Sequence, residues 1–418
     1  MAKSDITKAK QRWAQRMARQ QHGQGQRRQG RVERALEYLH MGAISKAAHL
    51  LESKGLGNLR VPAVLQEMRD KHPVRVHAIP PEVLNHLQTE TLALELEGVF
   101  QKLSLWTAAG PGGMRNAHLK PMVGAYAPAA AAEAMLAINH FATDMINGKL
   151  PPWFMEKMQA GRIVAPVKKE ATEERLAEHR PVCIIDVLPR AIDKALALQF
   201  REEYRQALVP QQVGVGVKCS AETLVLGVRW VLELNPDFIC VSIDLENGYN
   251  AIWRAAILRR HMQHPELRKL VPYLRAKLMP KAQVWATEED TISSEEGVQQ
   301  GSPTSSAAFA WTIHPEVVEA DRALFEACGG GARFGQDDGY FFGTPEAVYQ
   351  TLRTFDEAIG RSTGARLRLD KCKVYTQGRP ERMEGAPPGL QPGRIEIGEG
   401  TWAYNINIFN VPVGEEAF

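Results

Sequence analysis

Three carboxylates in two segments carry the strongest chemical signal in this chain. Asp244 closes the run Phe238-Ile-Cys-Val-Ser-Ile-Asp244, and Asp337-Asp338 stands inside Ala332-Arg-Phe-Gly-Gln-Asp-Asp-Gly-Tyr-Phe-Phe342. The first segment reads as an apolar strand ending in a carboxylate. The second reads as strand, tight turn, strand, with Asp-Asp-Gly as the turn. Carboxylate oxygens suit a hard ion such as Mg²⁺. Two such ions about 3.5–4 Å apart can activate a hydroxyl nucleophile and steady a phosphate leaving group. Taken singly, each segment is ordinary, because aspartates are common turn residues. Between them lies Glu296-Gly-Val-Gln-Gln-Gly-Ser-Pro303. Gly301 and Pro303 break the chain there, and Ser302 or Thr304 can cap a helix beginning at that point. The spacing predicts a helix through Ala307, Ala310 and Trp311 toward Val318, with Pro315 as a kink or end.

The order strand-Asp, Gln-Gly-x-Pro with a helix, then an Asp-Asp hairpin resembles the palm motifs A, B and C of reverse transcriptases. The closest likeness is to the non-LTR (LINE-type) retrotransposon enzymes. It extends to Gly110-Pro-Gly-Gly-Met-Arg-Asn-Ala-His-Leu119, Gly148-Lys-Leu-Pro-Pro-Trp153, Arg162-Ile-Val-Ala-Pro-Val-Lys-Lys169 and Arg180-Pro-Val-Cys-Ile-Ile-Asp-Val-Leu-Pro-Arg190 in the fingers-like region. Val213-Gly-Val-Gly-Val-Lys-Cys-Ser-Ala-Glu222 resembles the stretch before motif A, Leu367-Arg-Leu-Asp-Lys-Cys-Lys373 resembles motif D, and Asn405 to Gly414 resembles the block after it. The likeness covers roughly residues 75–414.

The resemblance implies an α+β right-hand polymerase fold, with fingers and a split βαβ, ferredoxin-like palm. It implies RNA-directed DNA polymerisation on an RNA template and a DNA primer, with deoxynucleoside triphosphates and two Mg²⁺ ions, Mn²⁺ being an alternative. Asp244 and Asp337 would bind both metals, with Asp338 supporting them. Tyr249 would stand against the incoming sugar, where its ring would clash with a 2′-hydroxyl. Lys168, Lys169 and Arg180 would clamp the triphosphate. Gln300 and Gly301 would face template–primer and nucleotide, and Lys371 (or Lys373) would give a proton to pyrophosphate. The family's Pro-Lys-Pro-Gly loop is Val-Lys-Lys-Glu here, which leaves open which lysine acts. Its usual Tyr or Phe two residues before the Asp pair is Gly335, with Phe334 one position early. A catalytically inactive remnant that at most binds nucleic acid, and another palm polymerase such as an RNA-dependent RNA polymerase, remain alternatives. Tyr249 weighs against the latter.

Composition is compatible with this reading. At 418 residues and 44% hydrophobic, the chain can bury a large core. No apolar run of 18 residues occurs, so no membrane span is expected, and the start lacks a secretory pattern. Five scattered cysteines exclude a zinc knuckle and fit a reducing, nuclear or cytoplasmic setting. Residues 1–40 carry a surplus of seven positive charges against a total of +3. A basic arm of this kind suits nucleic-acid contact or nuclear targeting. The expected divisions are a basic, unstructured arm (1–30), a helical extension (31–75), a fingers-like region (76–235) and a palm (236–418). Apolar residues at helical spacing over 31–71 and 127–146 read as core-facing stripes. A thumb and an endonuclease are expected to lie elsewhere in a longer polyprotein.

Overall fold

The computed structural model describes residues 24–40, 44–86, 90–105, 107–123, 128–172, 176–398, 401–409 and 411–414. Its centre is a five-stranded sheet. The strand Ile239–Ile243 lies between Lys373–Tyr375 and Asp338–Gly343, with Gly331–Gly335 on one edge and Gln391–Pro392 on the other. The four longest of these pair antiparallel, and the helices Ser305–Cys328 and Pro345–Thr363 connect them. Strand, helix, hairpin, helix, strand is the expected split βαβ arrangement.

Ile239–Ile243 is buried along nearly its whole length. It reads as a continuous apolar run because both of its faces are covered. On one face lie the two long helices, with Phe309, Ile313, Phe355 and Ile359 against Val241, Phe334 and Phe341. On the other lie the helix Ser220–Leu234 and a three-stranded sheet of Arg394–Gly398, Thr401–Ile408 and Val411–Gly414. Leu224, Val228, Ile406, Ile408 and Val413 there meet Cys240, Tyr340 and Phe342.

The helix ends obey local chemistry. Pro345 opens one long helix at its first turn, and Gly364 closes it with φ 78°. Gly329, with φ 71°, closes the other. Pro315 does not stop that helix, which runs on to Cys328 because its far side packs on the sheet and the neighbouring long helix.

A four-stranded sheet, ordered 182–185, 161–164, 282–285, 291–294, forms the second structural body. Its last two strands come from residues placed by sequence inside the palm. Ala282–Trp285 pairs parallel with Gly161–Val164, so hydrogen bonding across the edge cuts through the expected boundary at 236. A helix begins at Gln24, inside the stretch expected to be unstructured, and residues 1–23 lie outside the described part. Helices at Gln24–His40 and Ile44–Glu52 match the expected pair, but Leu36, Leu39, Ile44 and Leu51 are exposed. Among the described side chains Ala35 and Ala47 are buried and Leu50 is half-buried, so most of the large apolar residues of this stripe do not face a core. The helix Pro128–Ile146 buries Met145, with Ile138 and Phe141 packed against the core, and exposes Leu136. Among the described residues, no helix is long and apolar enough to cross a membrane.

Buried His261 ties the helix Arg254–Gln263 to Tyr204: its Nδ1 donates to the Ile257 carbonyl (2.6 Å), and its Nε2 accepts the Tyr204 hydroxyl (2.7 Å). Burial pushes its imidazole down to about 4, and does the same to His314. In the unfolded chain these rings take a proton below about 6.5, but in the fold only near 4. Their contribution is therefore complete above pH 6.5 and lost as pH falls toward 4. Urea melts should show stability dropping by about 1.4 kcal/mol per pH unit per histidine in that window. His261→Phe should flatten the slope; an unchanged slope would show that other groups set it.

Candidate active site

The strand register decides whether the three carboxylates meet. Ile243 is paired with Gly339 and Gly335 with Asp338. Continued one position beyond the last pair, this register brings Asp244 toward Asp338, and the charge of Asp244 acts on both Asp337 and Asp338. Asp337 sits in the two-residue turn before Asp338. That turn is Gln336-Asp337, not the Asp-Asp-Gly turn expected from composition. Gln336 takes the left-handed φ of 72°, while Gly339 lies in the strand beneath the Phe334 ring. The turn shifts because Gln336 is held on every side: its N–H donates to Gln212 Oε1 (3.1 Å), its Nε2 to the Gly214 carbonyl (3.1 Å), and its carbonyl accepts from Gln212 Nε2 (3.2 Å).

Asp244 is fixed by its backbone. Its N–H donates to Cys372 Sγ (3.3 Å) and its carbonyl accepts from Arg368 (2.8 Å). All three carboxyls line one cleft of about 760 Å³. Burial raises the Asp244 carboxyl, with Lys168 opposing. Burial raises Asp337, with Asp244 adding to it, and pushes Asp338 up to about 6, with Asp337 and Asp244 adding to it. Even with Lys168 and Arg180 opposing, the three carboxyls disfavour one another's charge, and such a crowded acidic set is suited to a divalent ion. Among the described residues, no three His, Cys, Asp or Glu side chains form a ready-made metal cage. Magnesium commonly takes one or two carboxylates and completes its shell with water and substrate phosphates, so hard oxygen donors in an open cleft fit it.

Lys168, Arg180, Tyr249, Gln300 and Lys371 line the same cleft, while Lys169 and Gly301 do not. The pairing of the strand Val167–Lys169 with Glu178–His179 is irregular at Lys168, and such a bulge re-aims a side chain, so this irregularity rather than simple alternation decides which lysine faces the carboxylates. Lys168 does, and burial together with the charge of Lys371 lowers its pKa. Gly301 lies at an exposed turn with φ 108°, beside the Cys183 carbonyl. Lys371 Nζ pairs with Glu178 Oε1 (3.0 Å), which is also 4.0 Å from Lys168 Nζ.

Tyr249 stacks on Phe309 with ring centres 4.8 Å apart. Its hydroxyl reaches Ser306 Oγ (3.2 Å) and Gln336 Oε1 (3.1 Å). The ring is thereby linked to the residue next to Asp337.

The loop after Gln300 rests on a buried ion pair. Lys277 Nζ meets Asp193 Oδ2 at 2.5 Å, and donates to Ser302 (2.8 Å) and Thr304 (2.9 Å). Tyr273 and Ser302 also donate to Asp193. Removing one partner strands a buried charge, at a cost of about 3–5 kcal/mol. Asp193→Asn should therefore lower stability by that order in chemical melts; a loss under ~1 kcal/mol would show that the pair is not buried in solution.

Several lining residues had no signal in the sequence. Glu67, Asp70 and Lys71 reach the cleft from the helix Pro62–Asp70 and the residue after it. That helix is docked by Glu67, which accepts from the His179 backbone N–H (2.9 Å) and contacts His179 Nδ1 (2.7 Å) and Lys71 Nζ (2.7 Å). Arg366 and Arg368 also line the cleft.

No curated protein matches the chain. A family model described as reverse transcriptase (RNA-dependent DNA polymerase) matches residues 167–386. That span contains the three carboxylates, Lys168, Arg180, Tyr249, Gln300 and Lys371, and it takes in more than half of the chain. The protein belongs to the reverse transcriptase family of RNA-directed DNA polymerases.

Proposed function

We propose that this chain is the polymerase module of a non-LTR (LINE-type) retroelement, and that Asp244 and Asp337 hold its catalytic divalent ions with Asp338 in support. The observation that carries the reading is the register: residues about 95 positions apart line one cleft with Tyr249, Lys168 and Arg180. When bound there, Mg²⁺ or Mn²⁺ supplies Lewis-acid charge at the reacting phosphate.

The chain's own groups do the rest. The primer 3′-hydroxyl gives up its proton to water and attacks the α-phosphate, a new O–P bond forms, the bond to the β-phosphate breaks, and pyrophosphate leaves. Phosphoryl-type transfer asks the protein chiefly for positioning and charge. Lys168 and Arg180 face the triphosphate, with Arg180 exposed at the mouth of the cleft. Lys371 is placed to protonate pyrophosphate once a phosphate displaces Glu178 from it. Gln300 borders the template–primer side. Tyr249 presents its ring to the sugar, where a 2′-hydroxyl would distinguish ribonucleotides.

The test is primer extension on poly(rA)/oligo(dT) with dTTP and Mg²⁺. Incorporation that needs both template and divalent ion is expected. Extension with ribonucleotides alone would favour an RNA polymerase, and no extension would favour an inactive nucleic-acid-binding remnant.

A further inference from the structure

The turn that bears Asp337 is gripped from two sides. On one side runs the segment 211–214: Phe334 N–H donates to the Gln211 carbonyl (2.7 Å), and Val213 N–H to the Phe334 carbonyl (2.8 Å). On the other side stands the hairpin of Thr401–Ile408 and Val411–Gly414, with Ile408 opposite Val411. Phe409 lies in its turn with a left-handed φ of 48°, a conformation that costs a non-glycine residue roughly 1–2 kcal/mol.

The Phe409 ring rests on Gly335, and a Cβ at 335 would fall inside that ring. Gly335 is the direct cross-strand partner of Asp338. Directly opposed residues in an antiparallel pair share a face of the sheet. The ring therefore covers the position across from the Asp338 side chain. Two residues along the same face, the Tyr340 hydroxyl reaches the hairpin at the Asn407 carbonyl (3.4 Å). Ile406, Ile408 and Val413 seat the hairpin in the same apolar layer.

We infer that Phe409 is a positioning residue for the metal-bearing turn: its ring fills the side-chain place left vacant at Gly335, holds Asp338 in register and couples the 401–414 hairpin to the site. The inference rests on the reading of Asp338 as a metal-supporting carboxylate. It predicts that 335 and 409 act as one contact.

The experiment uses the full chain with Phe409→Ala, Phe409→Tyr, Gly335→Ala and the double variant Gly335→Ala/Phe409→Ala. Mn²⁺ binding is titrated by electron paramagnetic resonance without nucleotide, alongside extension kinetics and melting. Phe409→Ala should weaken Mn²⁺ binding about tenfold, the lower end for loss of a group that orients a ligand, and should lower kcat with little change in the KM for nucleotide. Phe409→Tyr should keep both. Gly335→Ala, which evicts the ring, should match Phe409→Ala, and adding it to Phe409→Ala should cost nothing further. Wild-type Mn²⁺ affinity in Phe409→Ala, even with a lowered melting temperature, would overturn the inference, as would additive losses in the double variant. Wild-type protein that binds Mn²⁺ with this coupling but extends no primer would instead remove the polymerase reading and leave the coupling in place.

Discussion

Asp337→Asn and Asp244→Asn should each abolish primer extension while leaving the protein folded. The removed charge is worth several kcal/mol in the transition state. At 1.36 kcal/mol per tenfold, that is a loss of about 10³ or more. Asp338→Asn should cost less, since Asp338 supports the ions that Asp244 and Asp337 hold. The sign of the stability change separates a catalytic role from a structural one. Burial and neighbouring carboxylates raise all three pKa values, so the ionised forms are disfavoured in the metal-free fold. Neutral asparagines should thus hold or raise the melting temperature as activity disappears, the trade-off expected of a site built for charge. A variant that extends primers at wild-type rate would refute the assignment of that carboxylate. A large fall in melting temperature would mark it as structural.

Tyr249→Ala should admit ribonucleotides. With the ring present, a 2′-hydroxyl must overlap it or push it aside, and overpacking of this kind costs about 1–3 kcal/mol, or roughly 5- to 150-fold in discrimination. Tyr249→Phe should keep the exclusion, because the stack on Phe309 survives without the hydroxyl. Gln336→Leu should keep it as well, since it removes only one of the two anchors of a hydroxyl that the stack does not need. The measurement is the ratio of kcat/KM for dTTP and UTP on one template–primer. An unchanged ratio in Tyr249→Ala would show that the ring does not meet the sugar and that its place against Phe309 is core packing.

Much of the palm was legible from local chemistry. An apolar run ending at Asp244, proline and glycine at helix ends, and paired strands about an acidic turn are decided within a few residues by sterics and solvation. Departures arose where contacts at long range compete with local preference. Gly339 is the obvious turn residue, yet Gln336 takes the left-handed position because residues 211–214 satisfy its polar groups. Pro315 sits inside a helix held by packing along its length. The strands 282–294 joined the sheet of 161–185 because a free hydrogen-bonding edge was there, not because the chain was near it in sequence.

The order of residues along the chain thus set the chemistry available: which types could hold a divalent ion, in what succession, and at the ends of which elements. How they are used was settled only when distant segments packed together. Folding chose Lys168 over Lys169 at an irregularity in one short strand pair, brought Glu67 and Lys71 to the cleft wall, and set the Phe409 ring on Gly335 from more than seventy positions away. Torsions and caps are written in neighbouring residues. The side on which a side chain emerges, and the partner it meets, depend instead on register and packing between segments far apart in the chain.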